Sequence, residues 1–325
     1  MKRRTLRMLA ASAMTVAGLP VRAQRAPYPQ QAIRWVVPYA PDGTTDQIAR
    51  LLAPRLSREL GQPVVVDNKP GAASIVGATF VARSQADGHT VGTADSGTLA
   101  FNPVMYSTLS YDPGKDFTLI GGLGRMPLVL VVAPNFPART LREYLSLVRR
   151  TPGATSAGSS GPGAPLHVAL ELFKQHSRTD IRHVAYKGSV PALADVASGQ
   201  VDSMFVDLPP SLAVIRAGRV RVLATATPQR LALLPDVPTM AEAGLPGFEA
   251  YAWQGLVGPA GLPEGVGARL NRELVGALRL PEIRNRLEER GIEPMPGSPA
   301  EFAAFVRHEQ KRWAEVIRAA EIRLD

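Results

Sequence analysis

From Ile33 onward the sequence alternates short apolar runs with amphipathic stretches of helical period. Such elements bury their apolar faces together only by layering helices on a sheet, so the chain is predicted to be α/β. Strands are expected at 33–37, 64–66, 90–93 and 118–123. A helix over 45–60 carries Ile48, Leu51, Leu52, Leu56 and Leu60 on one face, with a kink predicted at Pro54. The Gly/Ala-rich segment 70–78 opens another helix, and Asp95-Ser96-Gly97-Thr98 reads as a polar turn. A second series follows: strand 128–132, helix 141–150, a run of small residues at 155–163, helix 166–176, strand 181–186, helix 191–198, and strands 203–206 and 220–226. After a Pro/Gly-rich stretch at 235–247, a strand over 251–258 leads into helices at 266–278, 281–290 and 299–322. A chain that begins in one lobe, builds another and returns makes two crossovers, which places a hinge between them. No internal repeat or heptad array is present, which sets solenoids and coiled coils aside.

With 325 residues, of which 45% are apolar and 20% charged, the chain can support two cores. Its net charge of +9 invites a nucleic-acid reading. Lys2, Arg3, Arg4, Arg7 and Arg22 all lie in an acid-free leader, however, and without them the charge falls from +9 to +4. The remaining charges alternate in sign, as in Glu288-Glu289-Arg290, and form no basic stripe, so nucleic acid is not expected. The leader itself reads as an export signal over residues 1–23. It has a basic start, an apolar run from Leu9 to Leu19, and Val21-Arg22-Ala23 before the cut. That run is about half the ~20 residues of a membrane-spanning helix. Arg3-Arg4-Thr5-Leu6 also fits a loose twin-arginine pattern, which leaves the export route open. The chain has no cysteine, which removes disulfides, thiolate metal sites, a cysteine nucleophile and a lipidated N-terminal cysteine together.

Three loops follow strands and precede helices. In Pro38–Asp46, backbone N–H groups and a helix N-terminus suit an anion, and Gly43 lets a ligand approach the backbone. The alternative is an ordinary βα turn with Asp46 as N-cap. Gly158-Ser159-Ser160-Gly161-Pro162-Gly163 offers hydroxyls and N–H groups to a carboxylate, or else is a flexible connector. It lacks the Lys of a phosphate-binding loop and the spacing of a dinucleotide fingerprint or a nucleophile elbow. Tyr186-Lys187-Gly188-Ser189 ends a strand and faces the same cleft, unless Lys187 is a plain surface lysine. Asp207 is a strand-end polar group or merely the start of a Pro209-Pro210 turn. His89, His167, His176, His183 and His308 are dispersed without metal-ligand spacing. His167 follows the glycine-rich loop and either faces the cleft or is structural. No catalytic triad, metal site or cofactor is indicated.

The motifs Val37-Pro38-Tyr39-Ala40-Pro41-Asp42-Gly43, Asn68-Lys69-Pro70-Gly71-Ala72, Asp87-Gly88-His89-Thr90 and Tyr111-Asp112-Pro113 stand in an order that continues through Gly199-Gln200-Val201-Asp202 and Leu234-Pro235-Asp236-Val237-Pro238-Thr239. Across the mature chain this order resembles the Bug family, the tripartite tricarboxylate transporter substrate-binding proteins. The resemblance implies a type II periplasmic-binding-protein fold: two α/β lobes around a ligand cleft, joined by two hinge crossovers. It places lobe 1 at 24–124 and 253–325, and lobe 2 at 125–252. It implies a monomeric, non-enzymatic periplasmic protein that captures a small carboxylate-bearing metabolite for membrane permease subunits, or alternatively presents it to a periplasmic sensor domain. Carried over, the ligand walls are Tyr39, Ala40, Pro41, Asp42, Gly43 and Asp46 on one side and Gly158, Ser159, Ser160 and Gly161 opposite. Ser96, Thr98, His167, Tyr186, Lys187 and Asp207 are secondary candidates. The chain departs from the family at Asp42, where a second glycine is usual. A carboxylate there, aimed inward, would repel an anion and favour an amino acid or amide; aimed outward, it would leave only backbone contacts inside.

Overall fold

A computed structural model describes residues 28–324; the export signal expected over residues 1–23 lies outside them. Strand β1 (Ile33–Val37) leads through α1 (Thr44–Leu60) to β2 (Val64–Asn68), then through α2 (Ile75–Ala82) to β3 (Thr90–Asp95). Both β2 and β3 pair parallel with β1, one on each side. Buried on both faces at most of its positions, β1 reads as a continuous apolar run rather than an alternation. Helix α1 runs through Pro54 as one element. A π turn (Gly97–Phe101) and a short helix α3 (Asn102–Met105) replace the expected polar turn after β3.

The sequence reading predicts two strands at 118–123 and 128–132; the structure has one, β4 (Phe117–Val132). Glycines and Pro127 read as a break between them. The ladder continues because β9 (Tyr251–Pro259) supplies partners through the gap: Gly124 opposite Gln254, Arg125 opposite Trp253 and Pro127 opposite Tyr251. Pro127, which has no N–H to donate, sits where β4 changes partners. From Leu128 onward it pairs with β7 (Ser203–Asp207) and β8 (Arg221–Thr225).

The second lobe contains α4 (Leu141–Arg150), β5 (Ser156–Ser159), α5 (Pro165–Ser177), β6 (Arg182–Ala185), α6 (Ser189–Ser198), β7, α7 (Leu208–Arg216) and β8. Two of these differ from expectation. β5 lies inside the run of small residues and forms because β6 and β7 flank it in parallel. α7 replaces a Pro-Pro turn, since prolines in a first helical turn forfeit only N–H groups that have no intrahelical partner. After β9 the chain closes with α8 (Glu264–Arg279), α9 (Pro281–Glu288), β10 (Glu293–Pro294) and α10 (Pro299–Ala319). The strand order β2-β1-β3-β9-β4-β7-β5-β6 sets two parallel groups on either side of the antiparallel β9/β4 pair. Two α/β lobes therefore share one curled sheet.

Helix α10 starts with a capping box in which Ser298 Oγ accepts from Glu301 N at 3.2 Å and Glu301 Oε2 accepts from Ser298 N at 2.7 Å. Its buried Glu309 accepts from the indoles of Trp253 on β9, at 2.9 Å, and Trp313, at 2.7 Å. Gly255 lies under the same helix, where a Cβ would overlap the Phe302 ring. Glu309→Leu leaves two buried indole N–H groups without acceptors and is expected to lower unfolding free energy by about 2–4 kcal/mol, measured by urea denaturation. Gly255→Ala is expected to cost about 1–3 kcal/mol in the same assay, with partial recovery on adding Phe302→Leu.

Candidate ligand cleft

In lobe 1 the loop after β1 is braced from beneath. Asp46 is fully buried, and its carboxylate accepts from Asp42 N (3.0 Å), Arg50 Nε (2.8 Å) and Asn68 Nδ2 (2.9 Å). Burial alone would raise its pKa; the bonds from Arg50, Asn68 and Asp42 N outweigh that and hold it below the ordinary carboxylate range. Asp46 is thus fully engaged in shaping the loop. Tyr39 is anchored too, its hydroxyl donating to Asp95 Oδ2 at 2.5 Å and its carbonyl accepting from Asn68 Nδ2 at 3.0 Å. Ala40, Pro41, Asp42 and Gly43 form the exposed crest. Asp42 has φ +68°, the left-handed region that favours glycine and that Asp tolerates better than most residues. Gly43 is the N-cap of α1 and has no side chain to occupy the first-turn N–H groups.

Beyond β3, Asp95 organises the next turn, its Oδ1 accepting from Thr98 N and from Thr98 Oγ1, both at 2.8 Å. Thr98 also meets Ser74 Oγ at 2.8 Å and is fully buried, whereas the buried Ser96 Oγ has no partner.

In lobe 2 the glycine/serine loop rests on two histidines. Ser159 Oγ lies 2.6 Å from His183 Nε2 and accepts from Gly161 N at 3.2 Å, while His167 Nδ1 accepts from Gly163 N at 3.0 Å. The two imidazoles stack, with centroids 3.9 Å apart and planes 11° from parallel. Gly163 has φ +70°, and a Cβ there would strike Leu324 and Met105. The neighbouring loop is laced on by Tyr186 N to Ser159 O and Gly188 N to Ser160 O, each 3.1 Å. Tyr186 Oη donates to Asp195 Oδ2 at 2.6 Å, and Lys187 is exposed.

Because His167 Nδ1 accepts a hydrogen bond, it carries no proton. Burial, then the neighbouring His183 and Lys174, lower its pKa to about 4; burial and Lys174 also lower that of His183. A histidine pKa depressed by folding contributes stability that is fully present above the unfolded value of about 6.5 and is lost as pH falls toward the folded one. The thermal midpoint is therefore expected to include a component that declines from pH 6.5 to pH 4.5. His167→Asn, whose amide oxygen can still accept from Gly163 N, should remove the His167 part of that component, leaving the part due to His183, in a melting series against the parent protein.

A cavity of ≈ 730 Å³ lies between the lobes, lined by Asp42, Gly43 and Gln47 from the first and by Ser189, Asp207 and Arg216 from the second. Of the residues singled out from sequence, Asp42, Gly43 and Asp207 line it together; Ser96, Thr98 and the Gly158–Gly161 loop do not. Gln47, Arg216 and Arg290 also line it and were not foreseen. Gln47 follows the loop motif by one helical turn. The two arginines come from distant helix ends, and nothing local in sequence marks them.

The family model described as "Tripartite tricarboxylate transporter family receptor" matches residues 48–322. The chain belongs to this receptor family. It is similar to protein BugT of Bordetella pertussis, at 33% identity over 94% of each chain. The solved structure of R. palustris Rpa4515 with adipate superposes with a TM-score of 0.82 at 37% identity, covering 91% of this chain and 99% of that one. MatC (Rpa3494) from Rhodopseudomonas palustris with bound malate gives a TM-score of 0.77 at 34% identity, covering 89% and 100%. These receptors are periplasmic solute-binding proteins, not enzymes. Among the described residues no helix is long and apolar enough to cross a membrane.

Proposed function

We propose that this receptor is exported by residues 1–23 and captures a small carboxylate-bearing metabolite in the periplasm, between lobe 1 (24–124 and 253–325) and lobe 2 (125–252). The closed form is then presented to membrane permease subunits. The observation that carries this reading is the interlobe cavity, walled on one side by the open N-terminus of α1 and on the other by the end of β7, helix α7 and the start of α6. Helix N-terminal N–H groups stabilise a carboxylate directly and through bridging water. The adipate and malate bound by similar receptors support the ligand class. In this reading Asp42 and Gly43 from lobe 1 and Asp207 from lobe 2 meet the ligand in the cavity they line. Closure then brings the backbone of Tyr39, Ala40 and Pro41, with Ser96, onto it from lobe 1, and Ser160, Gly161 and Lys187 from lobe 2. Asp46, Thr98, Ser159, His167 and Tyr186 hold those loops in shape. Closure is stabilised only by contacts the ligand makes better in the closed state.

The test is calorimetric titration and thermal shift of the refolded, ligand-stripped protein with a panel of mono-, di- and tricarboxylates, amino acids and their amides. A melting temperature that rises with ligand concentration is expected, since a ligand at 100 times its Kd adds about 2.7 kcal/mol to the folded state. Gly43→Val should weaken the responding ligand at least tenfold and, because Val is a poorer N-cap than Gly, lower the unliganded midpoint slightly, so affinities are compared well below both midpoints. The added Cβ meets nothing nearer than Ala40 O at 3.7 Å, and φ at Gly43 is −71°. Silence across the panel, or an unchanged affinity in the variant, would remove this reading.

A further inference from the structure

An aspartate at a helix N-cap ordinarily accepts from the backbone N–H of the second or third helical residue. Asp207 is the N-cap of α7, with φ −67° and ψ 133°, and its side chain makes no capping bond. The reason is in the sequence: α7 begins Leu208-Pro209-Pro210, so the residues that would donate are both prolines and have no N–H. Its Oδ1 is buried without a hydrogen-bond partner, and the side chain lines the interlobe cavity. The other charged groups on that cavity are Asp42 from lobe 1, Arg216 at the far end of α7, and Glu289 and Arg290 after α9. None of them bonds to Asp207; Arg290 Nη1 instead donates to Gln47 Oε1 at 3.2 Å. A carboxyl oxygen buried in a half-buried side chain and stripped of its usual donors is costly to keep unless something else supplies them.

We infer that Asp207 sets the ligand specificity of the cleft by accepting from a donor or cation at the ligand end remote from the α1 N-terminus, selecting carboxylates that carry an ammonium or amide over plain dicarboxylates. This rests on the capture reading above and assigns the ligand's second end. It also moves the discriminating charge away from Asp42, which lies at the exposed rim in a left-handed turn. Burial pushes the Asp207 carboxyl up to about 6, so at neutral pH the empty protein holds a carboxylate that folding disfavours. A raised carboxyl pKa contributes stability that is present below the unfolded value and lost as pH rises through the folded one. Asp207→Asn should therefore raise the unliganded melting midpoint at pH 7.5 and lose that advantage by pH 4. A purely structural aspartate would do the opposite.

The decisive experiment titrates the refolded protein and its Asp207→Asn variant at pH 7.5 with succinate, glutarate and adipate, each beside the ω-amino acid and the monoamide of matched length. The parent protein is expected to prefer the amino acid or the amide at least tenfold over its dicarboxylate, and the variant to lose the preference for the ammonium. Dicarboxylates that bind the parent as tightly as their partners, or a preference unchanged in the variant, would overturn the inference while leaving carboxylate capture intact. If no compound in any series binds either protein, both the inference and the capture reading fall.

Discussion

A strand shared by two lobes must keep its ladder intact across the junction, and β4 does so over 16 residues. Its first part is locked to β9 and its last to β7 and β8, so each lobe's sheet is completed by hydrogen bonds from the strand that connects it to the other. Register shifts between Leu119 and Gly121 and between Gly122 and Gly124 put extra twist just before the change of partners. Helix α10 adds a second tie. Gln310 Nε2 donates to Leu99 O in lobe 1, and Gln175 Nε2 in lobe 2 donates to Val316 O of the helix. Glu309 fastens β9 to the same helix, so α10 is bonded to both lobes and to a strand of the β4/β9 pair that joins them.

The loop after β1 in lobe 1 and the end of β7 in lobe 2 meet across one cavity, at strand C-terminal ends where an α/β sheet ordinarily binds its ligand. The loops there divide by how well their polar groups are satisfied. Asp46, Asp95 and Thr98 in lobe 1, and Ser159, His167 and His183 in lobe 2, spend their hydrogen bonds on the protein. They hold backbone N–H groups in place before any ligand arrives, which lowers the ordering cost of binding. Ser96 Oγ and Asp207 Oδ1 are left over. Of the two only Asp207 lines the interlobe cavity, where a buried oxygen without a partner is uncommon enough to call for a reason.

Most of the fold was legible. Helix 141–150 has a strong apolar stripe and the Thr140 cap, and the structure reproduces those bounds because local signals and burial agree there. Two of the failures share one cause. β5 has only the small residues Ser156, Ala157, Gly158 and Ser159, and it is a strand because β6 and β7 flank it. The gap inside β4 closes because β9, more than a hundred residues later, lies opposite. α7 was hidden by two prolines that read locally as a turn, although in a first helical turn they forfeit no intrahelical bond.

By itself the sequence determined the alternation of strands and helices, the glycine-bearing loops at strand ends, and the Asp-Leu-Pro-Pro run that denies Asp207 its cap, because each depends on neighbours in the chain. Only the tertiary structure decided which polar residues are spent and which are left without a partner. Whether an aspartate is saturated like Asp46 or orphaned like Asp207 depends on groups brought within about 3 Å by folding, and sequence spacing does not record that distance.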